Sequence, residues 1–402
     1  MRRGVRSGRG WLAAALLLAL AAPAHALRLE ALPHLHGIAW VPGEGLRVAA
    51  HDGLYAVAPD GRVRRVGAAG WDLMSLIEVP GRPGWLYAGG HPGEGENLGL
   101  AASTDGGRTW ARRGAAEADF HALAVSAADP RRLAGVHAGT LWTSEDGGRS
   151  WRQVGRAPEE ILSLAFSPDG RRLYAAAGGG LLVSRDGGRG WTPLTSGDEP
   201  GSLVAVRPDG TVYAFLLGKG LVRGRDPGTG WQVLVPDFGA HVPLALTADA
   251  DGGLYLLTHL GRILVSTDGG ASWRRWGLPA AAPAEAARRG QRLYEARCRA
   301  CHGRDGLGEP LTVEKLAVRD YRFAPPLDDA LHAWHHTDED LVRTILDGVP
   351  GGRMPAWRGV LDEAQARDLV AYIKSLWGPR ARACQGPRHM RCPPGAGEEE
   401  GS

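Results

Sequence analysis

The sequence predicts an all-β propeller of about six blades, followed by a small all-α domain. Two observations predict this fold class. A short turn motif returns at nearly constant spacing through the first two thirds of the chain. After Trp276 these turns stop and helix-forming residues take over. Glycine supplies 60 of the 402 residues without a three-residue period, as expected for many short strands joined by tight turns.

Residues 1–26 have the pattern of a cleaved secretory signal peptide. Four arginines precede an apolar run, which ends in the small-x-small sequence Ala24-His25-Ala26. The alternative, an uncleaved membrane anchor, is disfavoured because this apolar run is shorter than the roughly 20 residues that a spanning helix needs. Of the 47 Lys and Arg residues, less these four, 43 remain against 44 acidic residues. We therefore expect a periplasmic protein with no membrane span in its mature chain and no nucleic-acid partner.

The repeated motif predicts the blades. Clear copies are STDGGRTW at 103–110, SEDGGRSW at 144–151, SRDGGRGW at 184–191 and STDGGASW at 266–273, and a worn copy occupies 224–231. Their aspartates lie 41, 40, 40 and 42 residues apart: Asp105, Asp146, Asp186, Asp226 and Asp268. Short apolar runs bounded by Asp-Gly and Gly-Gly turns fill each period, as in antiparallel strands. A period near 42 divides residues 27–278 into six units, which predicts a six-bladed propeller.

This region resembles the Asp-box (BNR-type) propellers, which include sialidases, sortilin-like receptors and photosystem II assembly factors. The resemblance implies the fold alone, because Asp boxes are turns on the outer parts of the blades. A sialidase would also need an arginine cluster and a Tyr/Glu nucleophile pair, and the sequence shows no such set.

The second domain begins after an Ala/Pro linker at 279–284. The run 285–301 is rich in helix formers. At its end stand Cys298, Cys301 and His302, which are spaced i, i+3 and i+4. C-x-x-C-H is a c-type heme attachment signal. The alternatives are a zinc half-site, a redox cysteine pair and a disulfide. Zinc would need a second ligand pair, and a redox pair would need a thioredoxin-like βαβ unit; neither is visible in the sequence.

Residues 285–378 resemble a class I cytochrome c. The resemblance implies one covalent heme c, attached through Cys298 and Cys301, with His302 as an axial ligand. It also implies Met354, in GGRMPAW, as the second axial ligand, and Pro325, in APPL, as the carbonyl that accepts a hydrogen bond from the His302 ring. Three histidines are the alternative distal ligands: His332, His335 and His336. In the tail, 379–402, a local disulfide between Cys384 and Cys392 is expected in an oxidising compartment.

Aligned by their motifs, the blades bring histidines to two shared positions. His36, Met74 and His121 start innermost strands, whereas second strands end at His51, His91, His137 and His259. Both positions lie at one mouth of the central channel, near His34. The sequence leaves two interpretations open. Either these are polar residues bonded to backbone and water, or they form a copper or zinc site.

In the metal interpretation, His36, His91 and His121 form the core of the site, and Met74 would favour copper. His51 and His137 complete the candidate set, with Asp72, Asp119 and Glu96 as oxygen ligands or as bases. The pattern HGIAW, GGHPGEGENLGL and DFHAL also resembles an exported bacterial propeller family, which implies no reaction.

The sequence thus predicts an exported heme c protein that transfers single electrons, with a propeller that docks a redox partner protein or a substrate. One alternative is an oxidoreductase whose His-rich channel, with copper, converts a small-molecule substrate and passes electrons to the heme. Another is a non-catalytic assembly or docking factor. The sequence assigns no catalytic residue.

Overall fold

A computed structural model describes residues 29, 32, 34–67, 70–92, 96–157, 159–195, 199–225, 230–277, 284–312, 315, 323–386 and 390–392. The predicted signal peptide at 1–26, linker residues 279–283 and Asp226 of the worn motif lie outside these residues. Within the part of the chain that is described, no helix is both long and apolar enough to cross a membrane.

The N-terminal domain consists of six antiparallel sheets, each made of four strands that are consecutive in the chain. Sheets one to three comprise β1 (Leu35–Val41), β2 (Gly45–Ala50), β3 (Gly53–Val57), β4 (Val63–Val66); β5 (Asp72–Glu78), β6 (Leu86–His91), β7 (Leu100–Ser103), β8 (Ala111–Gly114); β9 (Ala122–Val125), β10 (Leu133–His137), β11 (Thr140–Ser144) and β12 (Arg152–Arg156). Sheets four to six comprise β13 (Ile161–Phe166), β14 (Leu173–Ala177), β15 (Gly180–Ser184), β16 (Thr192–Pro193); β17 (Gly201–Val206), β18 (Val212–Leu216), β19 (Gly220–Gly224), β20 (Gln232–Val235); β21 (Pro243–Ala248), β22 (Leu254–Thr258), β23 (Ile263–Ser266) and β24 (Arg274–Arg275).

The six sheets close into a ring. The first strand of each sheet contacts the first strand of the next, and β21 returns to β1. At this closure the rings of Trp40 and Tyr255 stack with centroids 5.0 Å apart, and the Trp40 amide donates to the Thr247 hydroxyl at 3.2 Å. The predicted six-bladed propeller is therefore confirmed.

The repeated motif forms the turn between the third and fourth strands of a blade. In blade two, an oxygen of Asp105 accepts from the Ser103 hydroxyl at 2.8 Å and from the Thr109 amide at 2.9 Å. The Trp110 indole covers the turn and donates to the Gly107 carbonyl at 3.0 Å. The same indole-to-glycine contact recurs at Trp151 and Trp273. Local side-chain hydrogen bonds thus explain why the motif repeats with each blade.

The C-terminal domain is a small helical unit, as predicted. In the described part of this domain the α-helices are α1 (Glu285–Arg297), α2 (Arg299–His302), α3 (Asp338–Asp347), α4 (Glu363–Ser375) and α5 (Pro379–Cys384). Helix α4 begins with a capping box between Asp362 and Gln365 and packs across α1, where the Tyr294 and Tyr372 rings lie 5.0 Å apart. The structure contains a disulfide between Cys384 and Cys392 at the end of α5.

The two domains meet at one face of the propeller. We call this the mouth face; it carries the starts of the first strands and the turns between second and third strands. Just before β21, the Ala240 amide donates to the Leu307 carbonyl of the helical domain at 2.8 Å. In the turn that follows β22, Arg262 reaches Asp328 and Asp329 of the same domain. The helical domain therefore sits on blade six of the mouth face.

Candidate functional site

The C-x-x-C-H sequence lies at a break between two helices. Helix α1 ends before Cys298, whose backbone departs from the helix at φ −107°, and α2 then carries Cys301 and His302. Both cysteines are free; Cys298 is half-buried and Cys301 is exposed. Burial, with a smaller effect of Cys301, raises the pKa of the Cys298 thiol to about 11. Cys298 is thus protonated at neutral pH, which disfavours a reactive thiolate.

The His302 ring is buried, and its Nδ1 lies 3.1 Å from the Pro325 carbonyl oxygen. Because a carbonyl can only accept, Nδ1 carries the hydrogen and Nε2 keeps its lone pair. Burial lowers the pKa of His302, although the Pro325 contact and Glu309 oppose this effect. The imidazole is therefore neutral, with Nε2 as the nitrogen that can bind a metal.

Met354 lies in the loop between α3 and α4. Its side chain is half-buried and packs against the core of the helical domain, as Cys298 and Trp357 do. The Met354 carbonyl accepts from the Val349 amide at 3.1 Å, which fixes the loop next to the end of α3. The three alternative histidines surround a short 3₁₀ turn, Ala333–His335, with ring centroids of His332 and His336 5.6 Å apart.

Comparison with known proteins identifies this domain. Residues 285–373 match the family model described as cytochrome c oxidase, cbb3-type, subunit III. The chain is 37% identical over 102 residues to Cytochrome c55X of Paracoccus denitrificans, an alignment that covers 24% of this chain and 82% of that protein. This chain belongs to the cytochrome c family. It is also 37% identical over 95 residues to the cbb3-type cytochrome c oxidase subunit CcoP of Azospirillum brasilense, covering 24% of this chain and 30% of that subunit.

A cytochrome c domain implies heme c and a redox partner, and the residues present fit that group. Two free thiols can form the thioether links of heme c, and a neutral, oriented imidazole and a methionine thioether are ligands that its iron takes. All four side chains belong to the cytochrome domain, and the Cys298 and Met354 side chains pack on one core.

The propeller resembles solved structures only distantly. It is similar to the Niastella koreensis GH74 enzyme, with a TM-score of 0.46 and 22% identity over 62% of this chain and 39% of that one. It is also similar to YCF48 from Cyanidioschyzon merolae, with a TM-score of 0.42 and 16% identity over 63% and 86% of the two chains. At this distance neither likeness indicates what this propeller does.

Charged side chains between the two domains form a buried cluster that sequence reasoning missed. Arg262, only 1% exposed, donates to Asp328 at 2.9 Å and to Asp329 at 2.5 Å. Arg275 also binds Asp329, and buried His241 lies 3.4 Å from Asp328. Burial alone would raise the pKa values of both aspartates, but the neighbouring arginines hold them below the ordinary value. No periodicity could have revealed pairs separated by 66 and 67 residues.

The mouth face also carries the predicted histidines, which the structure divides into two groups with one aspartate each. Within each group, one ligand-type atom from every residue lies within 4.8 Å of the others. The first triad is His36, His51 and Asp72; the second triad is His91, Asp119 and His121. The predicted core of His36, His91 and His121 is therefore split between the two triads. Asp72 and His91 are paired across β5 and β6, so the triads adjoin.

The electrostatics show that the triads act on one another. Burial lowers the pKa of His36 to about 4, helped by His51 and by His121 of the other triad. Burial raises the pKa of Asp72, although His51 and His91 oppose it. The hydrogen bond to Asp119 raises the pKa of His121.

The other predicted members of the mouth site lie outside the triads. His137 accepts a hydrogen bond from the Asp119 amide through Nδ1 at 3.0 Å, so it holds the backbone of a triad residue. Glu96 is exposed and lies 3.5 Å from Arg112. Met74 occupies an irregularity in the pairing of β5 with β6, between Leu73 and Ser75. His34 is exposed, with its ring 5.6 Å from that of His51.

Proposed function

We propose that this protein is an exported, periplasmic single-electron carrier. Cys298 and Cys301 would attach one heme c covalently, and His302 and Met354 would bind its iron. When bound, the heme supplies a reversible one-electron change at the iron. The observation that supports this assignment most directly is the 3.1 Å contact from His302 Nδ1 to the Pro325 carbonyl, which leaves Nε2 to bind iron.

The protein's own residues determine how this carrier works. The Pro325 carbonyl orients the imidazole and increases its basicity, and thioether ligation by Met354 raises the reduction potential relative to two histidines. Because His302 and Met354 would both bind the iron, no ligand position would be left for a substrate, and the group would supply electron transfer alone.

The propeller provides the docking platform for the redox partner protein. Arg262 and Arg275 hold the cytochrome domain by the segment that follows Pro325, so the heme-binding residues have a defined place on the mouth face. A partner that recognises this face would meet the cytochrome domain in one orientation.

A second function is supported by the position of the triads. They lie on the same face of the propeller as the cytochrome domain, and blade one, which carries part of the first triad, adjoins blade six. An oxidoreductase that converts a small-molecule substrate at the triads could therefore pass electrons to the heme. In that case, replacing His36 and His121 together by alanine would abolish substrate-driven heme reduction without altering the heme spectrum.

The covalent attachment is tested first, with protein from a host that matures c-type cytochromes. We expect acid–acetone extraction to leave heme on the wild-type chain and to remove it from a Cys298→Ser, Cys301→Ser double variant. A Cys384→Ser, Cys392→Ser variant is the matched control and should keep its heme. Heme that is extracted from the wild type would refute the attachment.

A further inference from the structure

We propose that the channel mouth binds two divalent transition-metal ions, one in each triad. This inference concerns the propeller and goes beyond the electron-transfer function proposed for the cytochrome domain. It depends on the arrangement of the ligand atoms, on buried atoms that have no partner, and on the chemistry of the donors.

The first triad brings together atoms from two blades. Asp72 starts the innermost strand of blade two, and its Oδ2 lies 2.8 Å from His51 Nδ1. Its other oxygen, Oδ1, lies 3.6 Å from His36 Nε2, a separation too long for a hydrogen bond. One carboxylate therefore faces two imidazoles from the neighbouring blade.

The second triad has the same donor types one blade further, but it takes its histidines from two blades. Asp119 Oδ2 lies 2.6 Å from His121 Nε2 and 3.4 Å from His91 Nε2. His91 comes from blade two, while Asp119 and His121 precede the first strand of blade three. The Asp119 backbone is fixed by His137, which accepts its amide hydrogen. Two imidazoles and one carboxylate thus come together twice, at two neighbouring blade junctions.

Buried polar atoms without partners point to a ligand at these positions. Asp72 is only 7% exposed, yet among the described residues nothing donates a hydrogen bond to its Oδ1 or to Oδ1 of Asp119. His36 Nε2 is also buried without a partner in the described part of the chain, and it faces Oδ1 of Asp72. A cation between these two atoms would satisfy both, because each offers a lone pair.

Ordinary His–Asp pairing accounts for only part of this arrangement. Such a pair needs one imidazole for each carboxylate, and His51 and His121 already supply them. This pairing leaves His36 and His91 as second imidazoles, which lie 3.6 Å and 3.4 Å from carboxylates that are already paired. Two imidazoles and one carboxylate around a single point are the ligands of a metal ion.

The donors determine the class of metal. Imidazole nitrogen and carboxylate oxygen without thiolate suit Zn²⁺, Cu²⁺ and Fe²⁺ rather than Ca²⁺ or Mg²⁺. Three protein ligands leave at least one coordination position open for water or a small molecule, as in catalytic rather than structural zinc sites. Both ions would face the opening of the channel, on the same face as the cytochrome domain.

The test uses the full-length, heme-loaded protein without an affinity tag. After chelator treatment, it is dialysed against Zn²⁺ and the bound zinc and iron are counted; Cu²⁺ is then used as an EPR probe for coupling to nitrogen. We expect the wild type to bind two zinc ions, and Asp72→Asn and Asp119→Asn to bind one each. Loss of the carboxylate should weaken binding at its own triad by about 100-fold or more.

Two further variants test whether a lower zinc count comes from misfolding, and a third variant is the matched control. His51→Ala and His121→Ala remove ligands whose side chains are each 56% exposed, so they should lower the zinc count without disturbing the fold. Asp52→Asn makes the same substitution beside His51, at a carboxylate held instead by Tyr55 and Arg65. It should retain both ions.

Binding of two ions that are lost one at a time supports the proposal. Absence of zinc from the wild type, a count that no triad variant changes, or one ion that either aspartate variant abolishes would overturn it. Failure of the proposed electron-transfer function would appear separately, as a low iron count or an altered heme spectrum.

Discussion

At the scale of single residues, the contact from His302 to Pro325 determines which imidazole nitrogen can bind iron. A backbone carbonyl cannot donate, so the tautomer is fixed by chain geometry rather than by a titratable neighbour. The potential of the proposed heme then depends mainly on the opposite ligand, for which Met354 is the candidate.

Replacement of Met354 by histidine should lower the reduction potential. Nitrogen ligation stabilises the oxidised iron more than a thioether does, so a Met354→His variant should become reduced only at lower potential. Potentiometric titration followed by visible absorption measures the change. Met390→His, at an exposed methionine in the tail, is the control and should leave the potential unaltered. Equal potentials in wild type and Met354→His would assign the distal position to another residue.

The residues of the mouth were predictable by type but not by partner. Shared positions in the repeat brought His36, His51, His91 and His121 to one face, where the structure places them. The same reasoning added His137, whose Nδ1 is instead occupied by the Asp119 amide. Alignment indicates where a side chain starts, but which atom it meets depends on the twist between neighbouring blades.

At the scale of elements, the motif turns explain why the fold could be predicted from sequence. Each turn is stabilised by side chains within eight residues, so its geometry is encoded locally and survives repetition. The break at Cys298 was not predictable in this way. The run 285–301 has uniform helix-forming composition, yet a distortion at that one cysteine separates α1 from α2.

Gly148 shows how tightly a motif turn is packed against its neighbour. Its backbone has φ +83°, and an added Cβ would lie 2.0 Å from Leu100 of the preceding blade. Both effects penalise a side chain at this position. Gly148→Ala should therefore lower the free energy of unfolding by about 1–3 kcal/mol.

Chemical denaturation monitored by tryptophan fluorescence measures this loss. Gly155→Ala, in β12 of the same blade, is the matched control, because an added Cβ would meet nothing within 4 Å. Unfolding of the two variants at the same denaturant concentration would contradict the prediction for Gly148→Ala.

At the scale of the whole molecule, four side chains that are buried in the described part of the chain join the domains: His241, Arg262, Asp328 and Asp329. Burying Arg262, Asp328 and Asp329 removes their hydration, so each depends on its partners across the interface. Asp329 also accepts from the Gly378 amide at 2.8 Å, which connects the cluster to the start of α5. Sequence patterns could not reveal this interface, because it pairs charges from two domains with unrelated periodicity.

Removal of one charge should separate the unfolding of the two domains. In Asp329→Asn, Arg262 and Arg275 lose a shared carboxylate, and Arg262 keeps only Asp328 of its two buried carboxylates. Loss of a buried ion-pair partner costs up to about 3–5 kcal/mol. We expect calorimetry at neutral pH to show two transitions where the wild type shows one. Asp347→Asn, which breaks the exposed pair with Arg358, is the control and should unfold as the wild type does.

Acid should have the same effect on the wild type. The pKa values of Asp328 and Asp329 are lower in the folded protein than the ordinary value of 3.8. Their contribution to stability is therefore complete above that value and is lost as the pH falls through the folded values. Calorimetry in steps below about pH 4 should show the single transition splitting. Asp329→Asn, already split at neutral pH, should change less over the same range. A wild-type transition that stays single until the whole chain unfolds would show that other contacts hold the cytochrome domain on the mouth face.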